Sequence, residues 1–465
     1  MGHGMAAVAP TDAAAGDLRS RLRGEVLRAG EPGYEAARRV WNGMIDKRPG
    51  LIARCAGEAD VVAAVGVARE HGLPVAVRGG GHNVAGNAVC DGGLVIDLSP
   101  LKGVRVEPER QTARAEPGVT WGELDRETQR FGLATTGGLV STTGIAGFTL
   151  GGGLGWLMRR HGLACDNLQA DDVVTADGRC LTASAEENAD LFWGVRGGGG
   201  NFGVVTSFAF GLHPIGEVLA GVVVHPWGEA RAALRFYREF TAGVPDELTA
   251  HALLFGSPAG EPGVGFAVCY AGEPREGEAV LGPLQSWGRP AADTIERRPY
   301  AAWQRMFDEA NPPGRRNYWK SSMLRRLDDG LIDDLVEAFP SVPSPSSSVL
   351  IELLGGAVAR VGAAETAYAH RDAAYDFLIA SVWDDPGQDG ANVGWAREIF
   401  GVMEPYARES VYVNYLGDEG EERVRAAYGA AKYDRLVALK DRYDPTNLFR
   451  LNQNVRPTAD RLARP

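Results

Sequence analysis

At 465 residues the chain exceeds what one compact core usually holds, so two domains are expected and a small scaffold without room for a buried site is excluded. Its 60 acidic against 48 basic residues give a net charge of −12 with no block of Lys or Arg, which excludes nucleic acid and anionic membranes as natural partners. Five cysteines (Cys55, Cys90, Cys165, Cys180 and Cys269), odd in number and without CxxC spacing, fit a reducing, cytoplasmic setting and argue against a disulfide framework or a metal site.

The segment from Met1 to Ala15 is rich in Ala, Gly and His and reads as a disordered leader, with no secretion signal there and no transmembrane span further on. Residues 51–100 then alternate as strand Leu51–Cys55, helix Asp60–His71, strand Pro74–Val77 and strand Gly93–Asp97. Between the last two lies Arg78-Gly79-Gly80-Gly81-His82-Asn83-Val84-Ala85-Gly86. Glycines at such a place let backbone N–H groups approach a pyrophosphate, with the histidine beside whatever ring that pyrophosphate carries; a plain turn is the alternative. Thr120 and Glu123 have capping-box spacing and open a helix expected to run to Arg130. Phe131 to Gly155 is then nearly all small or apolar, shaped to let something come close. A strand pair follows at Asp171–Thr175 and Val204–Phe210, with Arg196-Gly197-Gly198-Gly199-Gly200-Asn201-Phe202-Gly203 between them. The 62 glycines cluster in the first 205 residues, which suggests a cofactor cradle.

Past Pro214 the texture changes to alternating stretches at Val218–Val224, Leu248–Leu254 and Gly263–Tyr270, with helices near Glu229–Thr241 and Asp328–Ala338: a mostly antiparallel sheet backed by helices. Pro340–Ser348 reads as a loop into the strand Val349–Leu354, and a helix is expected from Gly420 to Tyr443. The tail Tyr443–Asn454 is polar and turn-rich, of a kind that frays unless docked. Glu352 is the single charge in its strand, so it is either a buried carboxyl with a raised pKa or part of a polar sheet face. Asp384, after Trp383, is a further candidate base. Phe148, Leu154 and Trp156 either shape an apolar substrate cavity or simply fill the core. No glycine run ends in Gly-Lys-Ser/Thr, which sets aside nucleotide hydrolysis.

Five motifs in order carry a resemblance over nearly the whole length: Arg78-Gly-Gly-Gly-His82; Thr142-Thr143-Gly144 with Gly151-Gly-Gly-Leu-Gly155; His161-Gly-Leu-Ala-Cys-Asp-Asn167; Phe192-Trp-Gly-Val-Arg-Gly-Gly-Gly199; and Asp444-Pro-Thr-Asn-Leu-Phe449 with Asn452-Gln-Asn454. The chain thereby resembles the berberine-bridge-enzyme-like FAD-linked oxidases of bacterial type, within the vanillyl-alcohol oxidase (VAO/PCMH) superfamily. The resemblance implies an α+β fold. An FAD-binding domain over residues 16–213 is completed by a returning segment, 419–465, around an inserted substrate domain, 214–418, of antiparallel sheet and helices. It implies FAD attached through His82, and a cradle of Arg78, Gly79, Gly80, Gly81, Asn83, Gly86, Pro117, Gly118, Thr142, Thr143, Gly144, Gly147, Gly152, Gly153, Gly203, Val204, Val205, Asn452 and Asn454. Some relatives form a second flavin bond from a cysteine eleven residues before Gly151; here that place holds Val140, so a single link is implied and Cys165 and Cys90 are structural. Thr143 occupies the place that governs oxygen access. Tyr412-Val-Asn-Tyr415 matches a motif whose second tyrosine serves as base, so Tyr415 joins Glu352 as a candidate, with Lys320 as the cation to activate it and Tyr412 expected on the opposite face of a strand. The partners implied are a small organic substrate and O2. The reaction implied is hydride transfer to FAD from an alcohol, hemiacetal or benzylic carbon, with H2O2 formed; a flavin-dependent oxygenase or an idle flavin binder are the rivals.

Overall fold

A computed structural model of the chain describes residues 11–257 and 260–462. The first described element corrects the expectation of a disordered leader. Thr11 caps the helix Asp12–Arg21 by accepting from Ala14 N at 3.2 Å, and Ala14, Ala15 and Leu18 are buried. Three consecutive alanines favour helix and are small enough to lie close against the helix Glu58–Glu70. Residues 1–10, the rest of that segment, lie outside the described residues.

Four strands form the first sheet in the order Glu25–Leu27, Leu51–Arg54, Leu94–Asp97, Val75–Arg78; the last three are parallel, with Glu58–Glu70 as crossover helix. The strand Val75–Arg78 therefore delivers Gly79–His82 at its carboxyl end, where parallel sheets present their ligand crevices. A second, antiparallel sheet of five strands runs Val104–Glu107, Thr112–Ala115, Val204–Gly211, Leu168–Val174, Cys180–Ser184; its third and fourth strands are the pair the sequence reading expects, with Val204 opposite Val174. The capping box of Thr120 and Glu123 is formed, but the helix it opens ends at Thr128 and tightens into a 3-10 turn at Gln129–Phe131.

The third sheet has eight antiparallel strands, and its central order is Glu217–Pro226, Gly263–Tyr270, Leu248–Phe255, Ser348–Leu353, Tyr375–Trp383, Arg316–Leu324. One face packs on the helices Ala230–Thr241, Asp329–Ala338 and Asp389–Met403 through Leu254, Val349, Ile351, Phe377 and Ile379. The other face, with Leu253, Leu350, Leu378 and Trp319, looks into a cavity shared with the glycine loops. Covering both faces explains why these strands read as near-continuous apolar runs. Arg316–Leu324 escaped the sequence reading because Arg, Asn, Lys and two Ser interrupt its pattern at the sheet edge.

The helix expected from Gly420 to Tyr443 is two helices, Glu421–Tyr428 and Ala430–Tyr443, broken at Gly429, whose φ of 70° lies in the left-handed region. Beyond them the tail is docked. Lys440 Nζ donates to Asp444 Oδ2 at 2.7 Å and to the carbonyls of Asn201 and Phe449, each at 2.9 Å, and the pair is fully buried. Asp444 in turn accepts from the backbone N of Leu448 and Phe449.

Candidate active site

His82 leaves the glycine loop with its ring stacked on Trp41, centroids 5.1 Å apart and planes at 17°. Thr142 Oγ1 lies 3.2 Å from its Nε2 and Thr143 Oγ1 lies 3.3 Å from its Nδ1. Burial holds the imidazole pKa down to about 4, against a weaker upward pull from Asp308, so the ring is neutral at pH 7 and retains a nucleophilic lone pair. The loop is set by contact with a second one: a Cβ on Gly80 would stand 2.4 Å from Gly144 N, so neither glycine can be replaced without parting the loops.

From His82 a series of aromatic contacts runs to Tyr412, and of its rings Trp319 and Tyr415 line the cavity. Trp41 meets Trp319 edge-on at 5.7 Å, Trp319 meets Tyr415 at 5.6 Å, and Tyr415 meets Tyr412 at 4.8 Å. Tyr412 and Tyr415 therefore do not lie on opposite faces of a strand. Residues Val413–Tyr415 form a 3-10 turn, which brings positions three apart to the same side. Tyr412 is the anchor of the pair: its hydroxyl accepts from Gly153 N at 2.8 Å and from Asn414 Nδ2 at 2.7 Å, fixing the glycine loop behind the cavity.

Tyr415 lines the cavity, and Glu352 stands behind it, fully buried. Burial pushes the Glu352 carboxyl up to about 7, while Tyr415 and Asp376 draw it down. The same burial drives Asp376 well above the usual carboxylate range, reinforced by Glu352 opposite it across the strand pair. Among the described residues neither Glu352 oxygen has a well-aligned donor of its own, and Asp376 accepts only from Ser321 Oγ, at 3.3 Å. The polar-face reading of Glu352 is thereby overturned. So is the role expected of Lys320: it points to the opposite face of its strand, ion-pairs with Glu419 and lies over Phe400. With no cation at hand, burial and the two carboxyls raise the Tyr415 phenol well above its ordinary value. Asp384 is at the surface, paired with Arg315, which holds its carboxyl below the usual range and removes it as a base.

The cavity, of about 680 Å³, collects Gly79, Gly80, Gly81, His82, Asn83, Thr143, Gly144, Gly147, Gly203, Val204, Val205, Asn452 and Tyr415 on one surface, with Val140, Phe148 and Leu154. Thr142 reaches His82 without lining it. Arg78 turns away to the Ala37 carbonyl, and Gly86, Pro117, Gly118, Gly152, Gly153 and Asn454 stand behind the lining. Trp156 is packed against His251 and Trp303 in the core rather than on the cavity surface. Cys165 and Cys90 are buried and burial raises both thiols, as expected of structural cysteines. A second, more open cleft, about 880 Å³ around Arg325, Arg326 and Arg408, contains none of these groups.

Residues 49–184 match the family described as FAD binding domain, and residues 411–456 the family described as berberine and berberine like. An FAD-linked oxidoreductase of Dictyostelium discoideum is 32% identical over 441 residues, which span 94% of this chain and 95% of that one. The chain belongs to the berberine-bridge-enzyme-like FAD-linked oxidoreductases. It is also 31% identical over 452 residues to (R)-6-hydroxynicotine oxidase of Paenarthrobacter nicotinovorans, covering 94% of this chain and 97% of that one. Among solved structures, 6-hydroxy-D-nicotine oxidase from Arthrobacter nicotinovorans superposes with a TM-score of 0.87 at 29% identity, covering 93% of this chain and 98% of the other. A chitooligosaccharide oxidase follows with a TM-score of 0.85 at 25% identity, covering 96% and 100%. The protein is thus an FAD-dependent enzyme with the mixed helix-and-sheet fold of this family. No helix among the described residues is long and apolar enough to cross a membrane.

The cavity fits FAD on its own geometry. A Cβ added at Gly147 or Gly200 would meet no protein atom within 4 Å although both residues line the cavity, so the space above them is free for a ligand. Asn452 Oδ1 and Asn454 Oδ1 are buried without partners beside this surface, and unpaired polar atoms of that kind call for one. Trp41 and Asp376 complete the site without having been singled out from sequence, and Asn414, inside the Tyr412–Tyr415 motif, carries no assigned role there. Asp376 is the single charge in the apolar run Tyr375–Trp383, the same signal that marks Glu352. Trp41 lies in no motif.

Proposed function

We propose that the enzyme is an oxidase of a small, largely apolar organic molecule, holding FAD covalently through His82 and oxidising an alcohol, hemiacetal or benzylic carbon. The observation that carries this reading is Tyr415, at the wall of the cavity that also holds His82, with Glu352 directly behind it. FAD bound there supplies the acceptor for the substrate hydride, and O2 then takes the electrons to give H2O2. The raised phenol makes Tyr415 a relay: it takes the substrate O–H proton as it passes its own to the Glu352 carboxylate, which ends as a neutral acid beside Asp376. The neutral imidazole of His82 supplies the nitrogen for attachment, and Thr142 and Thr143 orient the ring. Val140 offers no second link. The oxygenase rival needs the Thr143 hydroxyl free to hold oxygen; because that hydroxyl lies 3.3 Å from His82 Nδ1, the oxidase reading is favoured.

Intact mass of the acid-denatured protein tests the attachment: a gain of one FAD mapping to the His82 peptide is expected, with none on the peptides of Val140 or Cys165. Turnover under labelled O2 tests the chemistry. Label is expected in peroxide, and label in the organic product would replace the oxidase by an oxygenase.

A further inference from the structure

Among the described residues lining the cavity, Arg315 is the only Lys or Arg. It precedes the edge strand Arg316–Leu324 and shares a cavity-facing row with Trp319, four residues on, which places the two roughly 13 Å apart at about 3.3 Å per residue. The neighbouring strand lays Ala380 and Val382 along this interval, opposite Trp319 and Asn317. An apolar chamber thus has Tyr415, which touches Trp319, at one end and a guanidinium at the other.

The present partner of that guanidinium is a surface carboxylate. Arg315 Nε donates to Asp384 Oδ1 at 2.9 Å, and Nη2 donates to Asp384 Oδ2 and Ser346 Oγ, each at 2.8 Å. The Arg315 side chain is 20% exposed and that of Asp384 is 74% exposed. A contact with so exposed a partner contributes little, so giving it up costs little. A ligand carboxylate arriving from inside would keep the same two-point geometry while excluding more water. We propose that Arg315 determines specificity for a substrate whose apolar body ends in a carboxylate, which replaces Asp384 on the guanidinium. This rests on the cavity being the substrate site, as the oxidase reading has it.

The test is calorimetric binding of 2-naphthoate and its neutral analogue 2-naphthamide to the purified flavin-loaded enzyme. The wild type is expected to prefer the carboxylate by at least about tenfold, and Arg315→Met to reduce that preference to within about twofold. Asp384→Asn, which removes the competing charge, is expected to tighten 2-naphthoate severalfold and leave 2-naphthamide unchanged; it decides the question alone if Arg315→Met does not fold. Equal affinities in the wild type, absence of binding, a preference that survives Arg315→Met, or no tightening in Asp384→Asn would each overturn the proposal. Since the readout is binding, Tyr415→Phe should keep the preference. Undiminished turnover in that variant would overturn the proton path and leave Arg315 untouched.

Discussion

Tyr415 holds its proton because it is buried and the charged groups acting on it are the carboxyls of Glu352 and Asp376, and this bears on how it can work. A phenol beside a cation could act as a phenolate; one beside two carboxyls can only hand a proton on. Tyr415→Phe and Glu352→Gln are therefore each expected to slow flavin reduction by roughly 10²- to 10⁴-fold in anaerobic stopped flow, with FAD content unchanged. Glu352 accepts only when ionised, so the reduction rate should rise with pH through about 7 and level off above it, and this limb should vanish in Glu352→Gln. Stability should run the other way. With its folded value raised to about 7, Glu352 is held protonated by the native state, so it supports folding below the ordinary carboxylate range and that support is lost as pH rises through the folded value. Glutamine has no such loss, and the Tm of Glu352→Gln should gain on the wild type between about pH 5 and pH 8. His82 was legible from three glycines and a preceding strand because the loop is local. Trp41 was not, because stacking across forty residues of chain leaves no periodic trace. Lys320 misled because alternation sends it to the helix side of the sheet while its neighbour Trp319 faces the cavity.

At the scale of elements, hydrophobic period predicted the central strands well where both faces are covered, and failed where chemistry interrupts it. Gly263–Tyr270 is apolar throughout and buried at every position, so its limits could be read directly. The edge strand Arg316–Leu324 and the broken helix at Gly429 could not, since one depends on its neighbours and the other on a single positive φ. The tail depends on long-range contacts alone. Lys440, in the last turn of its helix, and Asp444, just past the end of that helix, are fully buried, and burial lowers the Lys440 ammonium below its ordinary value even with the carboxylate beside it. Lys440→Met should leave Asp444 as an unpaired buried charge, at a cost of about 3–5 kcal/mol. Phe449, Leu451, Asn452 and Gln453 line the cavity, so the same variant should also lose flavin, which the visible absorbance per protein measures alongside the drop in Tm.

Over the whole molecule, the cavity wall is drawn from the first sheet and its glycine loops, from the eight-stranded sheet, and from the last turn-rich segment of the chain, so occupancy by FAD ties together parts that share no single core. A ligand that bridges them stabilises the folded state in proportion to its binding, and for a dissociable ligand that contribution follows concentration, about 2.7 kcal/mol at a hundredfold excess over Kd. A covalent link removes the concentration term, because the cofactor cannot leave when the solution is diluted. In His82→Ala the cavity and its orphaned asparagines persist while the proposed link is gone. The Tm of that variant should therefore climb with added FAD and fall on dialysis, whereas the Tm of the wild type should be indifferent to both. A wild type whose Tm followed free FAD would carry a dissociable cofactor, and His82 would then be only the ring packed between Trp41 and two threonines.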